Sequence, residues 1–363
     1  MKSILVLSSV VALAAAGTID ITKYPPLDQQ APPIPGINAS YDFSKVPAIP
    51  VKGWNAAGGY AICPSTADAI SWCSLPCAQG SGCDATRKDI ISSCPTKGDW
   101  AMTFDDGPSN NTVPLLDLLD KLNLKATFCL VGSRVVERPD LVQRMFDSGH
   151  QLCVHTWSHR VLPTMTSDVV ISELEYCARA IQDITGTRPT YMRPPTGDTD
   201  DRVRGISAAM GFKTLLWDHD TFDWEGVSLY PNALWPQWIQ NNFTQWIKDP
   251  SLTKGPISLE HDVYTMPAAA ALLTVPLVNQ AGFKIKTAGE CLSDMRVYQN
   301  QSYLLPPSGV AGGKLTVSTA SASSAPAPGA SATAGANKPS SSSRIAPASF
   351  VAAIVAAVAA LVF

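Results

Sequence analysis

Histidine is scarce in this chain: five are spread over 363 residues, and charged side chains make up only 16% of the total. A protein with so few imidazoles has few ways to build acid–base or metal chemistry, so any two that stand close together carry weight. No block of lysine or arginine occurs and the formal net charge is −3. A chain without a basic patch is a poor partner for nucleic acid. Long apolar runs are confined to the two ends. Cysteine, by contrast, is not scarce. Nine of them, an odd number, imply disulfides plus at least one unpaired thiol in an oxidising compartment.

Both ends read as addresses. Met1 to Gly17 has a lysine near its start, an apolar run from Ile4 to Ala16 and a closing Ala14-Ala15-Ala16, the pattern of a secretory signal rather than of a buried first helix. From Ser318 to Ser343 nearly every residue is Ser, Ala, Thr, Gly or Pro, and an apolar tail runs from Ala346 to Phe363 with no charge after Arg344. Small residues, a polar spacer and a terminal apolar tail match a GPI-attachment signal, with Gly335, Asn337 and Ser340 as candidate anchor sites. A plain membrane span is the alternative; no basic cluster follows it. The expectation is a chain tethered to the outer face of the plasma membrane or the cell wall behind a Ser/Thr-rich stalk. Sequons at Asn38, Asn110, Asn242 and Asn300 agree with that route.

Between the ends the expected divisions are a proline-rich extended arm (18–59), a Cys-rich lead-in (60–94), a catalytic domain (95–300), the stalk (301–343) and the tail (344–363). Cys63, Cys73, Cys77 and Cys83 crowd the lead-in, where disulfide staples are favoured over a zinc ribbon by the compartment. Cys129 and Cys153 fall in apolar runs and read as packing residues. From residue 99 on, short apolar runs alternate with helix-length amphipathic stretches: "WAMTF", "ATFCLVG", "QLCVHT", "TYMRPP", "KTLLWD", "ISLEH" and "FKIKTA", with six helical patterns between them. Such alternation predicts an α/β fold of parallel βαβ units, either an open sheet or a barrel. The unusual polar residues each follow a strand: Asp105 and Asp106, His155 and His159, Arg193, Asp223 and His261. A barrel brings such positions to one rim, whereas an open sheet spreads them along an edge.

"HTWSH" places His155 and His159 four positions apart, a spacing that chelates one metal ion if the segment turns helically. No glutamate stands between them as in HExxH, so a general base must come from elsewhere. "FDDG" offers one. Successive strand side chains face opposite ways, so Asp105 and Asp106 can serve one site only where the strand stops, with Gly107 supplying the freedom to turn and Pro108 ending the strand. Adjacent carboxylates repel and need positive charge nearby, from a metal and from Arg193. A solvent-exposed Asx turn is the plain alternative for a lone "DDG". Asp106, His155 and His159 form a three-ligand set that leaves a position open for water, as in hydrolytic zinc sites. The same ligand types also hold iron in oxygenases, in a different order along the chain.

"TFDDGP", "HTWSH", "RPPTGD", "DTFDW" and "LEH" stand in the order and spacing of the five motifs of the polysaccharide deacetylases, carbohydrate esterase family four, which the chain resembles from about Cys94 to Val297. Within that family it is similar to the fungal chitin deacetylases. The resemblance implies a distorted (β/α)7 barrel. Asp105 would be the general base and would also touch substrate, and Asp106, His155 and His159 would hold one divalent cation, zinc first, with cobalt and manganese as alternatives. Arg193 would orient Asp105. His261 would be the general acid, tuned by Asp223, and Leu259 with Trp224 would form the acetyl pocket. Cys94 and Cys291 would be bridged. Where family members often carry tyrosine this chain has Thr196, which keeps a backbone N–H for the oxyanion but not the ring. Trp157, Trp224 and Tyr264 are candidates for lining a sugar groove, although core packing is the more usual fate of any single one. The implied activity is removal of N-acetyl groups from chitin by a monomeric enzyme. An O-acetyl esterase acting on xylan or mannan, and an inactive wall-binding member of the fold, are the competing readings.

Overall fold

The computed structural model describes residues 19–56, 60–62, 72–73, 89–225, 235–294 and 296–299. The signal segment, Cys63, Cys77 and Cys83, the side chain of Cys73, the sequon at Asn300, the stalk and the GPI candidates lie outside the described residues. Among the described residues no helix is long and apolar enough to cross a membrane.

The elements that carry the site are β1 (Asp99–Asp105), α1 (Thr112–Leu122), β2 (Thr127–Leu130), α2 (Gly132–Glu137), α3 (Pro139–Asp147), β3 (Gln151–Val154) and α4 (Ser167–Thr185). They continue with β4 (Tyr191–Met192), α5 (Asp201–Ala209), β5 (Lys213–Leu215), β6 (His219–Asp220), α6 (Trp235–Lys248), β7 (Gly255–His261), α7 (Thr265–Gln280) and β8 (Lys284–Lys286). All of these strands pair in parallel, in the order β6-β7-β1-β2-β3-β4-β5, with β8 against the first half of β1. The run 213–220 pairs with β4 at its start and with β7 at its end, so the sheet curls round upon itself. Ahead of β1, Ile90–Ile91 runs beside β5 and Ser93–Cys94 turns antiparallel to the start of β7, bridging the two flanks.

Alternation along the strands sorts the side chains into two layers. Trp100, Met102 and Phe104 of β1, Phe128 and Leu130 of β2, and Leu152 and Val154 of β3 face the helices in one buried cluster. Ala101, Cys129, Cys153, Tyr191, Ile257 and Leu259 face inward in a second. Every residue of β1 and β7 is buried, as expected for strands covered on both faces. The parity that turns Ala101 inward also turns Asp105 inward, at the carboxyl end where the rim begins.

Two disulfides lie in the inner layer. Cys94–Cys291 joins the segment before β1 to the one-turn helix Ala288–Cys291, spanning 197 residues. In the chain-entropy view, closing a loop that long disfavours the unfolded chain by about 5 kcal/mol. Cys129 and Cys153 stand opposite each other on β2 and β3 and are also bridged, rather than being plain packing residues. Cys177 is a free, buried thiol, with burial pushing it up to about 12.

Residues 24–41 run along α4, and residues 46–52 pass beside Gly205 of α5 and Pro163. Tyr24, Ala31, Ile34 and Ile37 are buried in the outer cluster, and the Tyr24 hydroxyl donates to Asp183 at 2.7 Å.

Candidate metal-centred active site

The rim of the curled sheet gathers the polar residues that the chain order keeps apart. Asp105 and His261 end the neighbouring strands β1 and β7 and are directly paired in register. His155 and Arg193 are the first residues beyond β3 and β4, and Asp223 follows β6.

Asp106, His155 and His159 bring one ligand atom each within 4.8 Å of one another. The Asp106 Oδ1 atom lies 3.4 Å from His155 Nε2 and 3.2 Å from His159 Nε2, and it is buried without a hydrogen-bond partner. An orphaned carboxylate oxygen facing two imidazole nitrogens fits a divalent cation of the zinc type. Against the cost of burial, His159 and His155 hold the Asp106 carboxyl well below the usual carboxylate range. His155 Nδ1 meets the Arg193 carbonyl at 2.7 Å; donation there leaves Nε2 as the free lone pair, which is the tautomer a ligand needs.

Asp105 is held differently. Its Oδ1 accepts from Arg193 at 2.6 Å, while Oδ2 lies 3.6 Å from His155 Nε2. Arg193 is fully buried. It also donates to Thr103 Oγ1 at 2.8 Å and to the carbonyls of Leu215 and Leu216 at 3.2 and 3.1 Å, with the Trp217 ring 5.2 Å from its guanidinium carbon. A guanidinium fixed by four acceptors keeps Asp105 from turning toward the cation pocket.

Across the rim, His261 Nδ1 pairs with Asp223 Oδ1 at 2.6 Å, and its backbone N–H donates to Asp223 Oδ2 at 2.7 Å. Burial alone would lower the imidazole. The Asp223 carboxylate is the largest force opposing that, Asp106 and Asp105 add to it, and together they push His261 up to about 10. With Nδ1 committed to Asp223, Nε2 is the proton-bearing atom left for chemistry.

The turn that lets adjacent aspartates share one site is not made by Gly107. Asp106 itself takes φ = 75°, and Gly107 stays out of the left-handed region. The glycine is required for space. An added Cβ would press on both carboxylate oxygens of Asp262, which Thr112 Oγ1 holds at 2.6 Å. Gly107→Ala is therefore expected to cost about 1–3 kcal/mol of stability, the usual range for overpacking. Calorimetric melting of the variant tests this, and an unchanged Tm would show that Asp262 yields freely.

The loop after β3 is not helical either. Thr156 and His159 adopt φ of 65° and 54°, and the two imidazole rings meet edge-on at 4.9 Å. Thr196 and Phe222, in the loops after β4 and β6, are also left-handed, at 58° and 54°. Such non-glycine conformations each cost about 1 kcal/mol or more and persist where surrounding contacts dictate them.

Leu259 is buried in the inner layer, whereas Trp224 and Tyr264 are 47% and 45% exposed. Trp157 does not line a groove: it is fully buried and stacks on Tyr24 with ring centres 5.6 Å apart. Thr196 is half-buried, and its hydroxyl donates back to the Pro195 carbonyl at 2.7 Å. Asn38 and Asn110 are exposed, with Asn110 on the rim accepting from Arg138 at 2.5 Å, while Asn242 is half-buried in α6. Arg134 was not foreseen: it donates to the Asp106 carbonyl at 2.6 Å from α2. Nor was Glu173, fully buried on α4 and bonded to the backbone of the histidine loop. No local motif marks either residue.

A curled parallel sheet with a His-His-Asp cluster and a separate carboxylate and imidazole at its rim defines a class of hydrolase-like barrels. Residues 92–215 match the family model described as "Polysaccharide deacetylase". Over that stretch the chain carries a polysaccharide deacetylase domain. It is 34% identical over 328 residues to chitin deacetylase 1 of Cryptococcus neoformans var. grubii, covering 84% of this chain and 65% of that one. It is also 34% identical to a chitin deacetylase of Amylomyces rouxii, over 64% of this chain and 55% of that one. It therefore spans less than two thirds of the length of either relative. Among solved structures it resembles the chitin deacetylase of Colletotrichum lindemuthianum, at 28% identity and a TM-score of 0.54, over 58% of this chain and 95% of that one.

Proposed function

We propose that the chain hydrolyses the N-acetyl groups of chitin-type polymers of N-acetylglucosamine, releasing acetate and leaving free amines. The observation that carries this reading is the separation of roles around one rim: three ligands on one side, an Arg-held carboxylate beside them, and a carboxylate-held imidazole across from both. Asp106, His155 and His159 would hold the cation, which when bound supplies the Lewis-acid charge that acidifies a water and polarises the acetyl carbonyl. Asp105, oriented by Arg193, takes the proton of the attacking water. The backbone N–H of Thr196 meets the developing oxyanion, and Leu259 with Trp224 receives the acetyl methyl. His261 gives its Nε2 proton to the departing nitrogen. An amine leaves only once protonated, so an imidazole that stays charged to about pH 10 suits an amide better than an ester.

The fungal relatives named above support chitin as the polymer. Secretion through the segment Met1–Gly17 and GPI tethering near Gly335, Asn337 or Ser340 would set the enzyme against a cell wall. The test is acetate release from chitin pentamer and from acetylxylan, each with and without chelator. Chelator-sensitive release from the pentamer is expected; release from acetylxylan alone would assign an esterase, and no release from either would assign a binding module.

A further inference from the structure

The loop that carries His155 and His159 has little structure of its own, yet most of its backbone N–H groups and two of its carbonyls are committed. The N–H of His155 donates to Leu130 O at 2.9 Å and that of His159 to Thr156 Oγ1 at 3.1 Å. The carbonyls of Thr156 and Trp157 accept from Gly132 and Ser133 at 2.9 and 3.0 Å. Two further N–H groups, of Trp157 and Ser158, both donate to Glu173 Oε2 at 2.9 Å, and Ser158 Oγ donates to Oε1 at 2.7 Å.

Glu173 has a fourth donor, and it comes from far away. The N–H of Ala31, in the N-terminal arm, reaches Oε1 at 2.8 Å across 142 positions of sequence. The arm grips the loop at a second point. Tyr24 stacks on the Trp157 ring at an interplanar angle of 8°, and Trp157 Nε1 donates to the Pro26 carbonyl at 3.4 Å. Behind the ring there is no slack: a Cβ on Gly132 would come within 2.7 Å of Trp157 Cε3 and 2.9 Å of the Cys177 backbone.

We propose that Glu173 is the positioning residue of the histidine loop and that residues 24–31 act through it and through Trp157 as an outer layer of the metal centre, setting its affinity for the cation. Physically, a fully buried carboxylate needs all of its donors. Loss of the arm's contribution frees Glu173 to move, and Thr156 and His159 are then no longer compelled to hold left-handed backbones. The imidazole of His159, the more exposed of the pair, would drift first. Partners of metal ligands tune affinity in this way, by about 10- to 100-fold. The inference rests on Asp106, His155 and His159 holding a cation.

The test uses the full chain with Co2+ alone as the probe. Co2+ affinity by chelator competition and the visible Co2+ spectrum would be compared among the unaltered chain, Glu173→Gln and Tyr24→Leu, alongside guanidinium unfolding of each metal-free protein. Glu173→Gln keeps the size but turns an amide N–H2 toward backbone donors. We expect it to weaken Co2+ binding by about 10-fold or more and to alter the spectrum. Tyr24→Leu should act in the same direction with a smaller effect. A lowered unfolding midpoint with Co2+ affinity and spectrum unchanged would overturn the inference, because a purely structural role moves only the midpoint. If Glu173→Gln does not fold, unchanged Co2+ affinity in Tyr24→Leu overturns it alone. Failure of the unaltered chain to take up Co2+ at all would overturn the metal reading and this inference with it.

Discussion

Asp105→Asn is expected to retain the cation and lose about 10²- to 10⁴-fold in kcat, the usual contribution of a positioned general base. Asp106→Ala is expected to lose the cation and the activity together. Both side chains sit at the end of β1, and the difference lies in what each faces. Asp105 Oδ1 is committed to Arg193 at 2.6 Å, while Asp106 Oδ1 has no hydrogen bond and looks onto two imidazole nitrogens at 3.2 and 3.4 Å. Asparagine at 105 keeps an oxygen for Arg193 but has no lone pair basic enough to take a proton from water. Metal content by atomic emission, measured beside kcat on chitin pentamer, separates the two variants. Equal metal loss in both would overturn the division of roles.

Asp223→Asn should move the alkaline limb of the rate profile toward acid by at least about one pH unit, since a single pKa unit corresponds to about 1.4 kcal/mol of charge stabilisation. The sign follows from the role. His261 must be protonated to act as an acid, so activity falls as pH rises through its folded pKa, which is about 10 against an ordinary 6.5. The first force on this imidazole is burial, which lowers it, and Asp223 is the largest force opposing that. Removing the carboxylate lets burial prevail. The same shift has a stability counterpart: protonated His261 favours the folded chain fully below about pH 6.5, and that contribution is lost as pH rises toward 10. In the variant this window closes. A kcat/KM profile from pH 5 to 11 reads the limb directly, and a limb that stays in place would show that His261 is not the acid.

Much of the barrel was legible because its signals are local. The apolar runs "WAMTF", "QLCVHT" and "ISLEH" became β1, β3 and β7, and the amphipathic stretch from Asp168 to Ile184 lies within α4. Period-two and period-3.6 burial need only neighbouring residues to be read. The polar residues at strand ends were equally visible, since each follows its own strand. The turns were harder. Gly107 looked like the flexible point, yet the left-handed residue is Asp106, because the strained conformation falls on the residue that must aim its carboxylate and the glycine is spent on clearance from Asp262. Trp157 looked like a groove aromatic and proved to be the anchor of the histidine loop.

By itself, then, the sequence determined the βαβ alternation, the rim set of Asp105, Asp106, His155, His159, Arg193, Asp223 and His261, and their likeness to one family's motifs. Tertiary structure supplied the contacts by which Asp106 faces the imidazoles and Asp105 the guanidinium, a division that the residues alone left open and the family likeness implied. It also decided the bridge between Cys129 and Cys153 and the reach of Ala31 and Tyr24 into the metal loop. Strand and helix patterns are written within a few residues of each other. Orientation at a rim and contact across 142 positions exist only once the chain has closed on itself.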